Sequence, residues 1–297
     1  MDERTPLNPP PGGGYLPPPP PPAFPVTADI PPQSPYHSSP APSTGQRRGL
    51  LSGIGAALVA AWAYGKYILL FAFKFKLLAT FLTMFVSFGA YALFFGPWAA
   101  LGIVVMIFVH EMGHVIEIRR QGMKATAPIF IPFFGAAIFQ REHAQSPIHQ
   151  AQIGIAGPLA GTVGATVAFA GYAVTHSPIL LVWAYFGFFV NLLNMVPFGM
   201  LDGGWILAPA SKWFQVAGLA VLAGLLLTGT VSPILIIMIL LGLPMVYERF
   251  RNKALDAYMT SGPPTARYAI AGAWLVLVLY LAYAFLQTDS LLQSLVR

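Results

Sequence analysis

The chain has 297 residues, of which 56% are hydrophobic and 9% charged, with a formal net charge of +6 and a mean hydropathy of +0.67. Soluble domains carry about a quarter charged residues, so this balance excludes an ordinary soluble enzyme and describes an integral, multi-pass membrane protein in contact with a lipid bilayer. No basic stretch with interleaved aromatics suggests nucleic acid as a partner, and the absence of cysteine excludes disulfides, thiolate metal sites and a cysteine nucleophile, leaving any metal to His and carboxylate.

Residues 1–46, which include NPPPGGGYLPPPPPP, are saturated with Pro, Gly and Ser. Such a segment cannot bury enough apolar surface to pack, so it reads as a disordered tail, partly polyproline II, and as a candidate docking site for a Pro-binding module. It lacks the basic start and immediate apolar run of a secretory signal. Residues 47–76 form an interfacial or membrane-entering segment, because the apolar run 50–73 is interrupted by Lys66. A membrane core is expected over 77–210 and further transmembrane helices over 211–297. Within these, segments 77–95, 98–118, 153–175, 179–200 and 268–287 each approach the roughly 20 residues that cross a bilayer. The shorter runs 215–229 and 233–247 suit either two short spans or a re-entrant hairpin. Between the second and third spans, KATAPIFIPFFGAAIFQREH (124–143) is β-rich and punctuated by Pro and Gly. It reads as a small hairpin at the membrane surface or an irregular loop packed on the helices. The expected fold class is thus all-α and polytopic, with about six to eight transmembrane helices, a small membrane-associated β segment and a disordered Pro-rich tail.

The second span ends in VHEMGHVIEIRR, an apolar helix that carries His110, Glu111 and His114. Burying two imidazoles and a carboxylate there costs several kcal/mol unless something binds them. Residues four apart project from one helix face, so His110 and His114 can grip a single metal ion, with Glu111 beside that line. The spacing fits zinc, one ion per chain. In the general HExxH mechanism zinc takes two imidazoles and a third protein ligand, and the Glu is the general base. Two carboxylates compete for the third place. Glu117 lies on the same helix but adjoins Arg119 and Arg120. Asp202 follows a long apolar helix broken by Pro197, Gly199, Gly203 and Gly204, and broken helices at membrane depth line polar cavities. The alternative for Asp202 is a cap on the short helix DGGWIL.

HEMGH with a downstream NMVPFGMLDGG resembles the site-2 protease family of zinc intramembrane metalloproteases, marked by HExxH and by an Asn-x-x-Pro stretch leading to Leu-Asp-Gly. The resemblance covers roughly residues 77–210. It implies His110, His114 and Asp202 as zinc ligands, Glu111 as catalytic base, and Asn194 as a catalytic residue that steadies the substrate carbonyl or oxyanion. GIAGPLAG (154–161) resembles the glycine-rich start of the family's middle core helix and FIPFFGAAI its membrane-associated β segment. The chain departs from the family in Gly199 and Met200, where prolines are frequent, and in Trp205, where a basic residue or His is common. These positions bear on the shape of the substrate groove and leave the ligand set intact.

The implied function is hydrolysis of a peptide bond in or beside a transmembrane segment of a membrane-protein substrate, as in regulated intramembrane proteolysis. An unwound substrate must pair its backbone in so dry a site, and an edge strand within 128–139, with Phe134, Gly135 and Ala136 as substrate-binding residues, could supply that pairing. Two other classes compete: a catalytically silent zinc-binding scaffold, and an ion transporter, which would spread ionisable groups along several spans. Gly157, Gly161 and Ala165 form a small-xxx-small stripe expected to serve helix packing. His143 and His149 read as solvated loop residues and His176 as part of an outer turn. If the tail is cytoplasmic and the spans alternate from residue 77, then Lys74, Lys76, Arg119–Arg141, Lys212 and Arg249–Arg267 all fall on the cytoplasmic side. The positive-inside rule therefore puts the N-terminus and the His110 end of its helix toward the cytoplasm.

Overall fold

The structure is a computed structural model that describes residues 76–138, 144–227 and 233–296, together with Val59, Tyr64, Gly65 and Glu142. The Pro-rich tail, nearly all of the 47–76 segment and His143 lie outside the described residues.

Helices α1 (Lys76–Phe95) and α2 (Pro97–Arg120) form an antiparallel pair joined at Gly96. Gly96 has φ 78° and Pro97 opens α2, so a residue free to take positive φ makes the reversal and a proline with preset φ starts the next helix. A hairpin follows, β1 (Ile129–Ile131) against β2 (Gly135–Ala137), antiparallel with Phe130 opposite Ala136. The expected hairpin is therefore present. Its tight turn requires positive φ at Phe133 (67°) and Gly135 (92°). The hairpin is docked on α1 by side chains: Thr80 Oγ1 donates to the Pro128 carbonyl (2.7 Å), Phe130 N–H to Thr83 Oγ1 (3.2 Å) and Phe133 N–H to Tyr91 Oη (3.1 Å).

Helix α3 (Pro147–Thr175) starts before the expected 153, because Ser146 caps it by accepting from His149 N–H and Pro147 occupies its first turn. Helix α4 (Pro178–Asn194) ends well short of 200. Pro197 has no N–H to continue a helix, and Gly199 stands at φ 52°. The expected span 179–200 is thus a 17-residue helix followed by an irregular turn. The chain then forms α5 (Asp202–Leu207), α6 (Trp213–Leu227), α7 (Pro233–Arg251), α8 (Lys253–Met259) and α9 (Pro264–Val296).

Among the described residues, four helices are long and apolar enough to cross a membrane: Leu78–Phe95 within α1, all of α2 and α3, and Pro264–Leu295 within α9. Helices α4 and α6 are apolar but shorter. The central element is α2, with 67% of its most apolar stretch buried, against 22% for α1 and 17% for α9. Outer helices expose Phe81, Phe85, Leu93, Val276, Leu279 and Leu286. Apolar faces of that extent suit lipid, not water. One core cluster joins α2, α3, α4 and α9 through Met106, Ala165, Ala184, Phe188, Leu277 and Leu281. The approach of α2 to α3 is close: a Cβ on Gly113 would run into the Ala156 carbonyl. The HExxH helix is thereby enclosed by its neighbours.

Candidate metal centre

His110 and His114 lie on the inner face of α2, both buried, with Nε2 atoms 3.2 Å apart. The first residue of α5, Asp202, turns its carboxylate onto both: Oδ2 is 3.0 Å from His110 Nε2 and Oδ1 is 3.3 Å from His114 Nε2. One ligand atom from each of the three residues falls within 4.8 Å of the other two, and among the described residues no other His or carboxylate joins such a group. The spacing of the pair on α2 and the break after α4 thus bring together the three residues expected from the sequence.

Hydrogen bonds on the far side of each imidazole indicate what this arrangement can hold. His114 Nδ1 lies 2.7 Å from the Ile153 carbonyl, which can only accept, so Nδ1 is the protonated nitrogen. Asn191 Nδ2 donates to the Gly187 carbonyl (2.7 Å), and that turns Asn191 Oδ1 to His110 Nδ1 at 2.8 Å. His110 therefore donates from Nδ1 as well. In neutral rings both Nε2 atoms then direct lone pairs at each other and at a carboxylate, and Asp202 Oδ2 is buried with no hydrogen-bond partner among the described residues. Acceptors converging without a donor repel one another, and a divalent cation relieves that repulsion. Two imidazoles and a carboxylate are a donor set suited to zinc, and outer partners that fix the imidazole tautomer are usual at such sites.

Small residues make room for this centre. A Cβ on Gly157 would overlap the His114 imidazole, and one on Gly161 would overlap the Asn191 carboxamide. The small-residue stripe on α3 thus packs against the His and Asn side chains themselves. Pro158 in the same stretch removes the backbone donor that the Gly154 carbonyl would meet in a regular helix, and it is the neighbouring Ile153 carbonyl that receives His114.

Glu111 is buried beside the two histidines and forms no side-chain hydrogen bond among the described residues. Glu117 is held by Arg120 (2.6 and 2.8 Å) and Gln121 (2.8 Å) as an ion-paired helix end, outside the three-residue group. Asn194, the last residue of α4, donates to the Val190 carbonyl (3.1 Å). It lines a cavity of about 510 Å³ together with Phe134, Gly135, Phe186 and Val190. Ala136 does not line that cavity and packs against the Ile103–Ile107 cluster. His149 bonds Ser146 Oγ (2.9 Å) at the α3 cap, and His176 ends the same helix in a left-handed conformation.

The sequence reading missed Asn191. Its signal was present, since a carboxamide in an apolar helix needs a buried partner, but that partner lies on another helix. The departure at Gly199 has a local cause. Its backbone is at φ 52°, a Cβ would meet the Gly242 backbone, and its N–H donates to Gln215 Oε1 (2.8 Å). A proline could satisfy neither the angle nor the bond.

Residues 98–178 match the family model described as peptidase family M50. The chain is 26% identical to a rice (Oryza sativa) protein named probable zinc metalloprotease EGY2, chloroplastic, over 37% of this chain and 28% of that protein. It is 27% identical to the zinc metalloprotease MJ0392 of Methanocaldococcus jannaschii, over 37% of this chain and 34% of that protein. The matched stretch thus spans about a third or less of the length of these curated relatives.

Proposed function

From the membership of this core in the site-2 proteases, peptidase family M50, we propose that the chain is an intramembrane zinc metalloprotease that cuts a peptide bond in or near a transmembrane segment of its substrate. The observation that carries the reading is the donor-free convergence of His110, His114 and Asp202 inside an apolar bundle. Those three residues would hold one zinc ion. Zinc, when bound, supplies the Lewis acidity that makes water nucleophilic near neutral pH and polarises the scissile carbonyl.

The chain's own residues account for the rest. Asn191 and the Ile153 carbonyl keep both imidazoles in the tautomer that leaves Nε2 free. Glu111, buried and with no side-chain hydrogen bond among the described residues, accepts the proton of the attacking water and returns it to the leaving amine. Asn194 stands where the cavity meets the end of α4 and steadies the substrate carbonyl. An unwound substrate segment adds to the outer edge of β2. Phe130 N–H is taken by Thr83, so Phe130 and Ala136 form the non-hydrogen-bonded pair of the hairpin, and the Ala136 N–H and C=O point away from β1. Phe134 N–H, by contrast, is used within the turn, donating to the Ile131 carbonyl (3.0 Å).

The same reading includes six to eight spans in total, with α4, α6 and α7 crossing as well, and a cytoplasmic N-terminus and active-site end. The Pro-rich tail is available to a Pro-binding module. The test is metal content and cleavage together. Purified chain should carry about one zinc and cut membrane substrates in reconstituted vesicles; chelation should abolish cutting and added zinc restore it. In Asp202→Ala, zinc retention should fall sharply. Unchanged zinc in that variant would overturn the ligand set, and cleavage that survives chelation would overturn the metalloprotease reading.

A further inference from the structure

The segment that delivers Asp202 is held from behind by side chains that lie outside the stretch matching the family model. Helix α5 has only six residues, too few to be stable alone, and its last carbonyls have no partner within the helix. Two arginines hold the turn that follows its last residue, residues 208–210. Arg249, buried on α7, donates through Nη2 to the Ala208 carbonyl, and its Nε donates to Asp256 Oδ1 (3.2 Å). Arg267, on α9, donates through Nε to the Pro209 carbonyl (2.6 Å), through Nη2 to the Ala210 carbonyl (2.9 Å) and through Nη1 to the Thr260 carbonyl (3.1 Å). Asp256 is braced in turn by Lys212 Nζ at 2.9 Å.

The upstream half of the segment is gripped in the same manner. Gln215 on α6 accepts from Gly199 N–H (2.8 Å) and donates to the Gly204 carbonyl (3.2 Å), while Trp274 Nε1 on α9 donates to the Met195 carbonyl (2.9 Å). Apart from the contacts to Asp256 and Thr260, each of these bonds joins a side chain to the backbone of residues 195–210. They fix where the segment sits, whatever side chains it carries.

We infer that Arg249 and Arg267 are positioning residues that act through α5, holding its C-terminal end so that Asp202 at its N-terminal end reaches His110 and His114. The guanidinium suits the task because its donors are fixed in a plane and can serve two or three carbonyls at once; an ammonium on a flexible stem cannot reproduce this. The inference rests on the metal reading above, and its test separates the two.

Zinc affinity is measured by chelator competition on the full-length chain for wild type, Arg249→Ala, Arg267→Ala, Arg267→Lys and Asp202→Ala, and for each arginine change combined with Asp202→Ala. Thermal unfolding of the metal-free proteins is recorded alongside. Each arginine variant should lose roughly tenfold or more in zinc affinity, the range for outer partners of metal ligands, and Arg267→Lys should recover only part of it. In the Asp202→Ala background the same changes should cost nothing further, because the ligand they position is already gone. Arg120→Ala, which breaks the ion pair of the exposed Arg120 with Glu117 outside the three-residue group, should leave zinc affinity unchanged. Wild-type affinity in both arginine variants would overturn the proposal, and so would an equal further loss in the Asp202→Ala background, which is the mark of general destabilisation. Should Arg249→Ala fail to accumulate, Arg249→Lys carries the same comparison. Wild-type affinity in Asp202→Ala alone would overturn the metal assignment beneath it.

Discussion

His110 and His114 were legible in the sequence because everything that pairs them lies on one helix, where a spacing of four fixes a shared face. Asn191 was not, because its bond to His110 crosses from α4 to α2 and no spacing along the chain encodes it. The stripe Gly157, Gly161 and Ala165 was visible as a packing pattern, but its targets, the His114 ring and the Asn191 carboxamide, belong to other helices. This reading of the stripe can be checked. Gly157→Ala puts a methyl into the His114 imidazole and should weaken zinc binding by about 10-fold to 100-fold, as expected when a ligand's orientation is lost. Gly224→Ala, whose added Cβ meets nothing within 4 Å, should leave zinc binding unaltered. Equal affinities in the two variants would show that the stripe does not set the imidazole's position.

Among the elements, the hairpin was readable from its Pro and Gly punctuation, while the ends of the helices were not. The run 179–200 is apolar throughout, and only the turn around Pro197 and Gly199, fixed by Gln215 from a later helix, decides that α4 stops at Asn194. The pairing of the hairpin also narrows which residue can serve a substrate. Ala136 presents its donor outward, so Ala136→Pro should slow cleavage of a membrane substrate without loss of zinc. Phe134→Pro removes a bond internal to the turn and should act by disturbing the hairpin itself, seen as a lower unfolding temperature. Undiminished cleavage by a folded, zinc-bearing Ala136→Pro protein would count against strand addition.

At the scale of the molecule, composition alone separated a membrane protein from a soluble one, and the long apolar helices with exposed Phe, Leu and Val faces agree. The brace formed by Arg249, Arg267, Gln215 and Trp274 was invisible in the sequence, because each bond joins a side chain to a backbone carbonyl or N–H far along the chain. Orientation can be measured directly, since a chain without cysteine accepts single introduced ones. Gln121→Cys and Ser261→Cys should react with an impermeant thiol reagent from the cytoplasmic side and His176→Cys from the opposite side; labelling of all three from one side would reject the alternating topology. The proposed catalysis by a buried HExxH helix turns on Glu111, which lies beside the histidines. Its most direct test is the cleavage rate of a transmembrane substrate by Glu111→Gln protein in the same vesicles as wild type, with zinc content measured on both. Retained zinc and a rate lower by about 10²-fold to 10⁴-fold are expected, whereas a wild-type rate in the zinc-bearing variant would show that Glu111 is not the base.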